Sequence, residues 1–269
     1  AARLTYDEVQ SVYEGLFDEK QLKLDDGTLH HLFAVYQCRK KLRHIRGTLE
    51  LHLKERSIKF SENNQPLEIE IRHQKEANEL IEEFMILANI CAAETLEEQY
   101  KTCVYRVHEP PSADKLADLA LLADGMNINL PETPNFTPKQ FNLLLEKAPT
   151  DADRELLQDA ILRCQSRANY ATENAGHYGL GLLRYAHFTS PIRRYSDLLV
   201  HRALIDACNL GADGMQQTSA EKISEICTHI SRTEQIATKA ERRTIDRMAN
   251  IVLCSYLCSE QTAKIIGIN

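Results

Sequence analysis

The chain has 269 residues, 43% of them hydrophobic, enough for one large or two small domains with a sizeable core. Its formal net charge of −7 excludes a generally basic surface, so any nucleic acid has to be held by a local channel rather than by the field of the whole molecule. No apolar run approaches the ~20 residues needed to span a bilayer, and the first residues lack the charged-then-apolar pattern of a secretory leader. The cysteines at 38, 91, 103, 164, 208, 227, 254 and 258 contain no CxxC pair. They read as reduced core residues of a cytoplasmic protein, not as a zinc site.

In chain order, helical spacing runs from Thr5 to Phe17, with Val9, Val12, Tyr13 and Leu16 on one face. Asp25-Asp26-Gly27 makes a turn. A second helix is predicted from Thr28 to Leu42, with a stripe of Leu32, Val35, Tyr36 and Leu42 and a basic end at Arg39-Lys40-Lys41, followed by Arg43 and Arg46. Cations there complement the helix dipole, and RNA contact is the competing reading. From Thr48 to Ile71 the period shifts to two: Leu49, Leu51 and Leu53, then Ile58 and Phe60, then Leu67, Ile69 and Ile71. With Asn63-Asn64-Gln65-Pro66 as a turn, this predicts a small antiparallel unit.

A core helix is expected over about Lys75 to Gln99, its stripe formed by Ala77, Leu80, Ile81, Phe84, Met85, Ala88, Cys91 and Ala92, with Glu82 flanking it. Pro110-Pro111 breaks the chain before a helix at Ala113–Leu122. Residues 126–138 read as a surface connection, and Phe141–Leu145 and Asp151–Tyr170 are again helical. His108 and Glu109 lack a third partner for metal chemistry. The glycines at 176, 179 and 181 lack the context of a nucleotide-binding loop and read as points of close backbone approach.

Next, Tyr185-Ala186-His187-Phe188-Thr189-Ser190-Pro191-Ile192-Arg193-Arg194-Tyr195-Ser196-Asp197-Leu198-Leu199-Val200-His201-Arg202 reads as a short apolar strand running into a helix, with Ser190 as N-cap and Pro191 at the first helical position. Arg193 and Arg194 would then add positive charge to a helix end that is already positive. Either they bind an anion or they pair with local carboxylates such as Asp197. A long helix from Thr218 to about Leu257 opens on a Thr218/Glu221 capping box. Glu241 lies on the line of its apolar stripe, where a buried carboxylate would need a partner such as Arg242 or Arg193.

The segment from Tyr185 to Arg202 resembles the signature of the ribonuclease II/ribonuclease R family, the RNB-domain 3′→5′ exoribonucleases, and most of all its bacterial ribonuclease R branch. Ala2-Arg3-Leu4-Thr5-Tyr6-Asp7, Leu80-Ile81-Glu82-Glu83-Phe84-Met85-Ile86-Leu87-Ala88-Asn89, Tyr105-Arg106-Val107-His108-Glu109 and Gly176-His177-Tyr178-Gly179-Leu180-Gly181-Leu182 also look like family stretches, in matching order. The resemblance implies an α+β fold, mostly helical, with a small antiparallel β part: the C-terminal portion of an RNB domain over residues 1–260. Residues 261–269, including Thr262-Ala263-Lys264-Ile265-Ile266-Gly267-Ile268, would start an OB-type RNA-binding barrel. Both ends then read as cuts within a larger protein, expected to be a monomer.

For the site, the resemblance implies that Arg193 neutralises charge building on the scissile phosphate, with Arg194 and Tyr195 as supporting phosphate or base contacts. Glu82 would contact RNA near its reacting end, and Tyr6 would stack on a base. Leu51 stands where ribonuclease II carries a clamping phenylalanine, and an aliphatic side chain holds a base less firmly. Glu241 matches a family glutamate near the active centre, with a structural ion pair as the alternative. In the family, Mg2+ is held by a cluster of aspartates whose motif would precede Ala1. No metal ligand is assigned within this chain, and the isolated piece is expected to be inactive. The implied activity is removal of nucleoside 5′-monophosphates from the 3′ end of single-stranded RNA. The alternative is a non-catalytic RNA-binding or scaffold protein with the same fold.

Overall fold

A computed structural model describes residues 2–25, 27–51, 55–72, 74–99, 101–130, 136–215, 218–257 and 259–260. It is mostly helical, with two two-stranded antiparallel sheets. The chain divides into two compact units: Ala1–Leu53 with Gln74–Arg232, and Lys54–His73 with Thr233–Asn269. The expected OB-type strand at Thr262–Ile268 lies outside the described residues.

In the first unit, α1 (Tyr6–Tyr13) opens on a reciprocal cap in which the Glu8 N–H donates to Thr5 Oγ1 and the Thr5 N–H donates to Glu8 Oε2. It stops before the predicted Phe17, at Gly15, whose φ of +72° leaves the helical region. The second helix, α2 (Thr28–Arg46), runs one turn beyond Leu42 to Gly47, a left-handed cap whose N–H donates to Arg43 O and His44 O. It buries Leu29, Phe33 and Tyr36, while Val35 and Leu42 of the expected stripe are exposed. Phe33, Tyr36 and Leu80 of α3 (Glu76–Glu98) form an apolar cluster with Val9 packed against it.

Periodicity located α3 to within about one residue at each end. Its buried line passes through Leu80, Glu83, Ile86, Asn89, Ala93 and Leu96, leaving Ile81 and Cys91 exposed. The C-terminal half of this line joins β3 (Tyr105–Val107), α7 (Tyr195–Ala207) and the start of α8 (Ala220–Leu253) in the main core, where Ala92, Val104, Leu199, Val200, Ile223 and Cys227 meet. A second core is made by α4 (Ala113–Asp124), α5 (Pro138–Glu146) and α6 (Asp151–Cys164) around Phe141, Leu157 and Ile161.

Four expectations need correcting here. Residues 48–51 alternate in hydropathy, but they are not a strand. The Leu49 N–H donates to Gly179 O, the Glu50 N–H to Asn142 Oδ1, and Asn142 Nδ2 to Thr48 O, while Leu49 and Leu51 pack on the second core. The helix beginning at Asp151 ends at Cys164, not Tyr170, because Asn169–Ala171 forms β4, paired antiparallel with β3. The cap of α8 is Ser219, whose Oγ accepts the Lys222 N–H, one residue after the expected Thr218. Finally, Cys38, Cys91, Cys208 and Cys254 are exposed; only Cys103, Cys164 and Cys227 of the described cysteines are buried.

In the second unit, β1 (Glu55–Phe60) and β2 (Pro66–Arg72) form the expected hairpin. Ile58 faces Ile69, and the connection is closed by the Ser61 N–H to Gln65 O and the Asn64 N–H to Ser61 O. The rest of α8 belongs to this unit.

Candidate functional site

The segment from Tyr185 to Arg202 does not start as a full strand. Ala186 makes a single antiparallel bridge to Tyr105, and the Arg106 N–H donates to Tyr185 O. Side chains do the rest of the anchoring. Asn89, buried in α3, donates from Nδ2 to Tyr185 Oη (2.9 Å) and accepts the Phe188 N–H on Oδ1 (2.8 Å), so one amide ties the segment to the core helix at two points. His201 of α7 donates from Nε2 to Phe188 O (2.8 Å) and stacks on the Phe188 ring, with centroids 4.2 Å apart. His187 Nδ1 pairs with Tyr170 Oη at 2.9 Å.

The predicted helix start is shifted. Residues 191–193 form a turn closed by the Arg193 and Arg194 N–H groups on Ser190 O (3.3 and 3.0 Å). Arg194 is extended (φ −124°, ψ 119°) and serves as N-cap residue, so α7 begins at Tyr195 and neither arginine lies inside the helix. Ser190 contributes its N–H rather than its hydroxyl. The acceptor is Asp197, whose carboxylate reaches back from the first turn of α7.

Asp197 is fully buried. Its Oδ1 accepts from the Ser190 N–H (2.8 Å) and from Arg194 Nη2 (2.8 Å), and its Oδ2 accepts from Ser196 Oγ (2.9 Å). Burial by itself would raise its pKa. The hydrogen bonds from Arg194, Ser190 and Ser196 outweigh that and hold the carboxyl below its ordinary range. A negative charge in the first helical turn also complements the dipole of α7.

The two arginines therefore separate. Arg194 is the one that pairs with Asp197, and its side chain is 20% exposed. Arg193 is exposed, and among the described residues its guanidinium has neither a hydrogen bond nor an ion pair. Beside it, Ile192 is fully exposed and Tyr195 is half-exposed. A hydrogen-bonded turn thus presents a cation that is unpaired among the described residues, near in sequence to an exposed apolar and a half-exposed aromatic side chain, a combination suited to a phosphate and a base.

The other sequence-predicted residues distribute as follows. Glu82 lies on α3 and accepts from Arg43 Nη1 (2.8 Å) and Gln74 Nε2 (3.0 Å). Tyr6 is half-exposed at the start of α1, which packs on α2 and α3. Leu51 is half-buried against the second core. Glu241 is exposed, not buried, and among the described residues it forms no ion pair with Arg242 or any other cation. On α8 it shares the helix face of Ile245, Met248 and Val252, as the spacing predicted, but the covering of that face does not extend to it, so the expected need for a buried partner does not arise.

Sequence reasoning missed three groups. Glu83, next to Glu82, is the buried carboxylate: it lies 3.0 Å from Arg43 Nη1 and 3.7 Å from Arg39 Nε. Its place three residues from both Leu80 and Ile86 was the available signal. With Lys40 bonded to Glu79 (2.9 Å), the basic end of α2 is largely spent on α3. The second group is Asn89, a polar residue on an apolar stripe. The third is a set of histidines, His108 buried and His177 and His187 half-buried. His108 accepts the Gly179 N–H on Nδ1 and donates from Nε2 to Ser166 O, and its ring lies 5.0 Å from that of His177. Burial, then repulsion from His108 and Arg106, pushes His177 down to about 3; burial, then Arg194 and Arg106, does the same to His187. Gly179 is tightly constrained, since an added Cβ would lie 3.0 Å from His108 Nδ1.

The described residues contain no group of three or more His, Cys, Asp or Glu side chains placed to hold a metal ion. No described helix is long and apolar enough to cross a membrane.

Comparison with known proteins adds the following. The family described as RNB domain matches residues 1–209. Ribonuclease R of Aquifex aeolicus is 34% identical over 247 residues, covering 91% of this chain and 35% of its own length. The structure of Mycoplasma genitalium RNase R in complex with ribose methylated single-stranded RNA superposes with a TM-score of 0.85 at 28% identity, covering 93% of this chain and 40% of that one. Yeast Ssd1, a pseudonuclease, shares the fold at a TM-score of 0.59 and 20% identity, over 85% of this chain and 28% of that one. The chain spans about a third of the length of the curated relatives it matches.

Proposed function

The chain belongs to the RNB domain family, and from that premise we propose that it supplies the arginine side of the active centre in a hydrolytic 3′→5′ exoribonuclease of ribonuclease R type. The observation that carries this reading is the contrast at the turn: Arg194 is consumed by Asp197, whereas Arg193 is exposed and, among the described residues, without a partner on a braced loop. Ordering a lone cation in this way has a physical rationale when an anion is to be met there.

In this reading the terminal phosphodiester of single-stranded RNA lies against Arg193, whose donor fork stabilises the charge that builds on the phosphate oxygens as the bond to water forms. A guanidinium keeps its charge throughout, so no proton is moved by this group. Arg194 and Asp197 hold the turn, and Tyr195 offers a face on which a base stacks. Tyr6 serves as a further stacking surface, Leu51 as an aliphatic contact, and Glu82 as an acceptor for ribose hydroxyls with the lone pairs that Arg43 and Gln74 leave over. Glu241 is given a role in hydrolysis only by its match to the family glutamate.

Magnesium, which supplies activated water in this chemistry, is assigned to ligands outside the chain. The described residues do not assemble a set that fits it, and no step here runs through it. Residues 1–260 are accordingly assigned to the catalytic domain, residues 261–269 to the start of an OB-type barrel, and the complete enzyme to a cytoplasmic monomer.

The test is decay of a 5′-labelled single-stranded RNA by this chain, by a version extended upstream, and by the extended version with Arg193→Ala. Shortening from the 3′ end by the extended protein alone, slowed ~100-fold or more by Arg193→Ala, is the expected result. An extended protein that binds RNA and never cuts it would replace the enzyme with a scaffold of the same fold.

A further inference from the structure

The C-terminal part of α8 carries a run of cations that no role assigned above uses. Between residues 239 and 247 there are four cations, Lys239, Arg242, Arg243 and Arg247, and two carboxylates, Glu241 and Asp246, in a chain whose overall charge is negative. Lys239, Arg243 and Arg247 follow one another at four-residue spacing, so they form one stripe with about 6 Å of helix rise between neighbours. All three are exposed, and among the described residues none makes an ion pair or side-chain hydrogen bond. The opposite side of the helix carries half-buried Ile245 and Met248 and buried Ala249 and Val252. The cationic stripe is therefore the face turned to solvent.

The carboxylates do not neutralise it. Glu241 projects from the other side of the helix, and Asp246, although three residues from Arg243 and four from Arg242, forms no ion pair with either. By contrast, Lys59 in the hairpin of the same unit pairs with Glu70 at 3.2 Å. Like charges at four-residue spacing repel and weaken a helix. A polyanion lying along the stripe converts that repulsion into binding, because each phosphate that is neutralised releases condensed counterions. Lysine and arginine here offer only donors, on long exposed side chains repeated along one helix face, a pattern that suits the evenly spaced phosphate oxygens of a backbone.

We propose that Lys239, Arg243 and Arg247 form a rail for the phosphate backbone of single-stranded RNA, holding the strand without regard to sequence. This rests on the reading of the chain as an RNA-degrading enzyme and extends it to a further contact surface, on α8.

The experiment measures binding of a 5′-labelled single-stranded oligoadenylate to the chain from about 50 to about 200 mM salt. Four proteins are compared: wild type, Arg243→Gln, the triple variant Lys239→Gln/Arg243→Gln/Arg247→Gln, and the charge-keeping Arg243→Lys/Arg247→Lys. Loss of three phosphate contacts should make the logarithmic salt slope shallower by about 2 units, and Arg243→Gln alone by about 0.7, while the charge-keeping variant keeps the wild-type slope. Glutamine is a good helix former, and circular dichroism checks that the helix persists. A triple variant that is folded and keeps the full slope overturns the rail and leaves the RNA reading in place. If the triple variant does not fold, the single variant decides in the same way. Wild-type protein with no salt-dependent RNA binding overturns the reading itself, and the rail with it.

Discussion

Replacing Asp197 tests the construction of the site directly. Its carboxylate is fully buried and accepts three hydrogen bonds, from the Ser190 N–H, Arg194 Nη2 and Ser196 Oγ. Asp197→Ala removes the counter-ion of a largely buried guanidinium and the acceptor of the turn, which should cost ~3–5 kcal/mol. Asp197→Asn keeps an oxygen for Ser190 and Arg194 but loses the negative charge and the acceptor of Ser196 Oγ, whose hydroxyl has to turn to accept from the new amide, for a cost of roughly 1.5–3 kcal/mol. Urea unfolding at neutral pH reads both values, provided each transition is cooperative.

The acid limb provides a second readout. The folded-state pKa of Asp197 lies below its ordinary value, so the stability it contributes is present above the unfolded carboxyl pKa of about 3.9. It is lost as pH falls through the folded value, and both variants should lack this component. In the extended enzyme, RNA hydrolysis should fall through kcat with little change in KM, because Arg193 remains present but its turn is no longer held. Asp197→Ala within ~1 kcal/mol of wild type, with unchanged acid sensitivity, would refute the assignment of Asp197 as the brace.

Two further expectations follow from groups partly or wholly withdrawn from solvent. His177 and His187, both pushed down to about 3, should remain neutral at pH 5 in the folded protein, whereas the unfolded chain takes up protons near pH 6.5. Stability should therefore be complete above about pH 6.5 and decline as pH falls from there towards 3. Imidazole resonances titrating near 6.5 at either position would contradict this. Glu83→Ala should cost ~3–5 kcal/mol by leaving Arg39 without a counter-ion, and Glu83→Leu combined with Arg39→Met should recover most of it in the same urea assay. A double variant as unstable as Glu83→Ala would show that packing, not the stranded charge, sets the cost.

Local chemistry made much of this protein legible from sequence. The 3.6-residue stripe of α3, the proline break at Pro110-Pro111 and the hairpin turn around Asn64 all rest on interactions between residues a few positions apart. Such interactions travel with the sequence wherever the segment goes. What the tertiary structure alone decided is which polar group meets which.

The alternation at Thr48–Leu51 looked like a strand until Asn142 and Gly179, about a hundred residues away, took its backbone bonds. The end of α6 depended on β3 being available to pair with β4. Arg193 and Arg194 are adjacent and chemically identical, and no local rule separates them. They differ because the turn aims one guanidinium at the buried Asp197 and leaves the other in solvent. Glu82 and Glu83 differ for the same reason, one being half-exposed and the other sealed between α2 and α3. Burial and pairing belong to the three-dimensional surroundings of a side chain, and a charge that is nearly free in water becomes decisive once its solvent is removed.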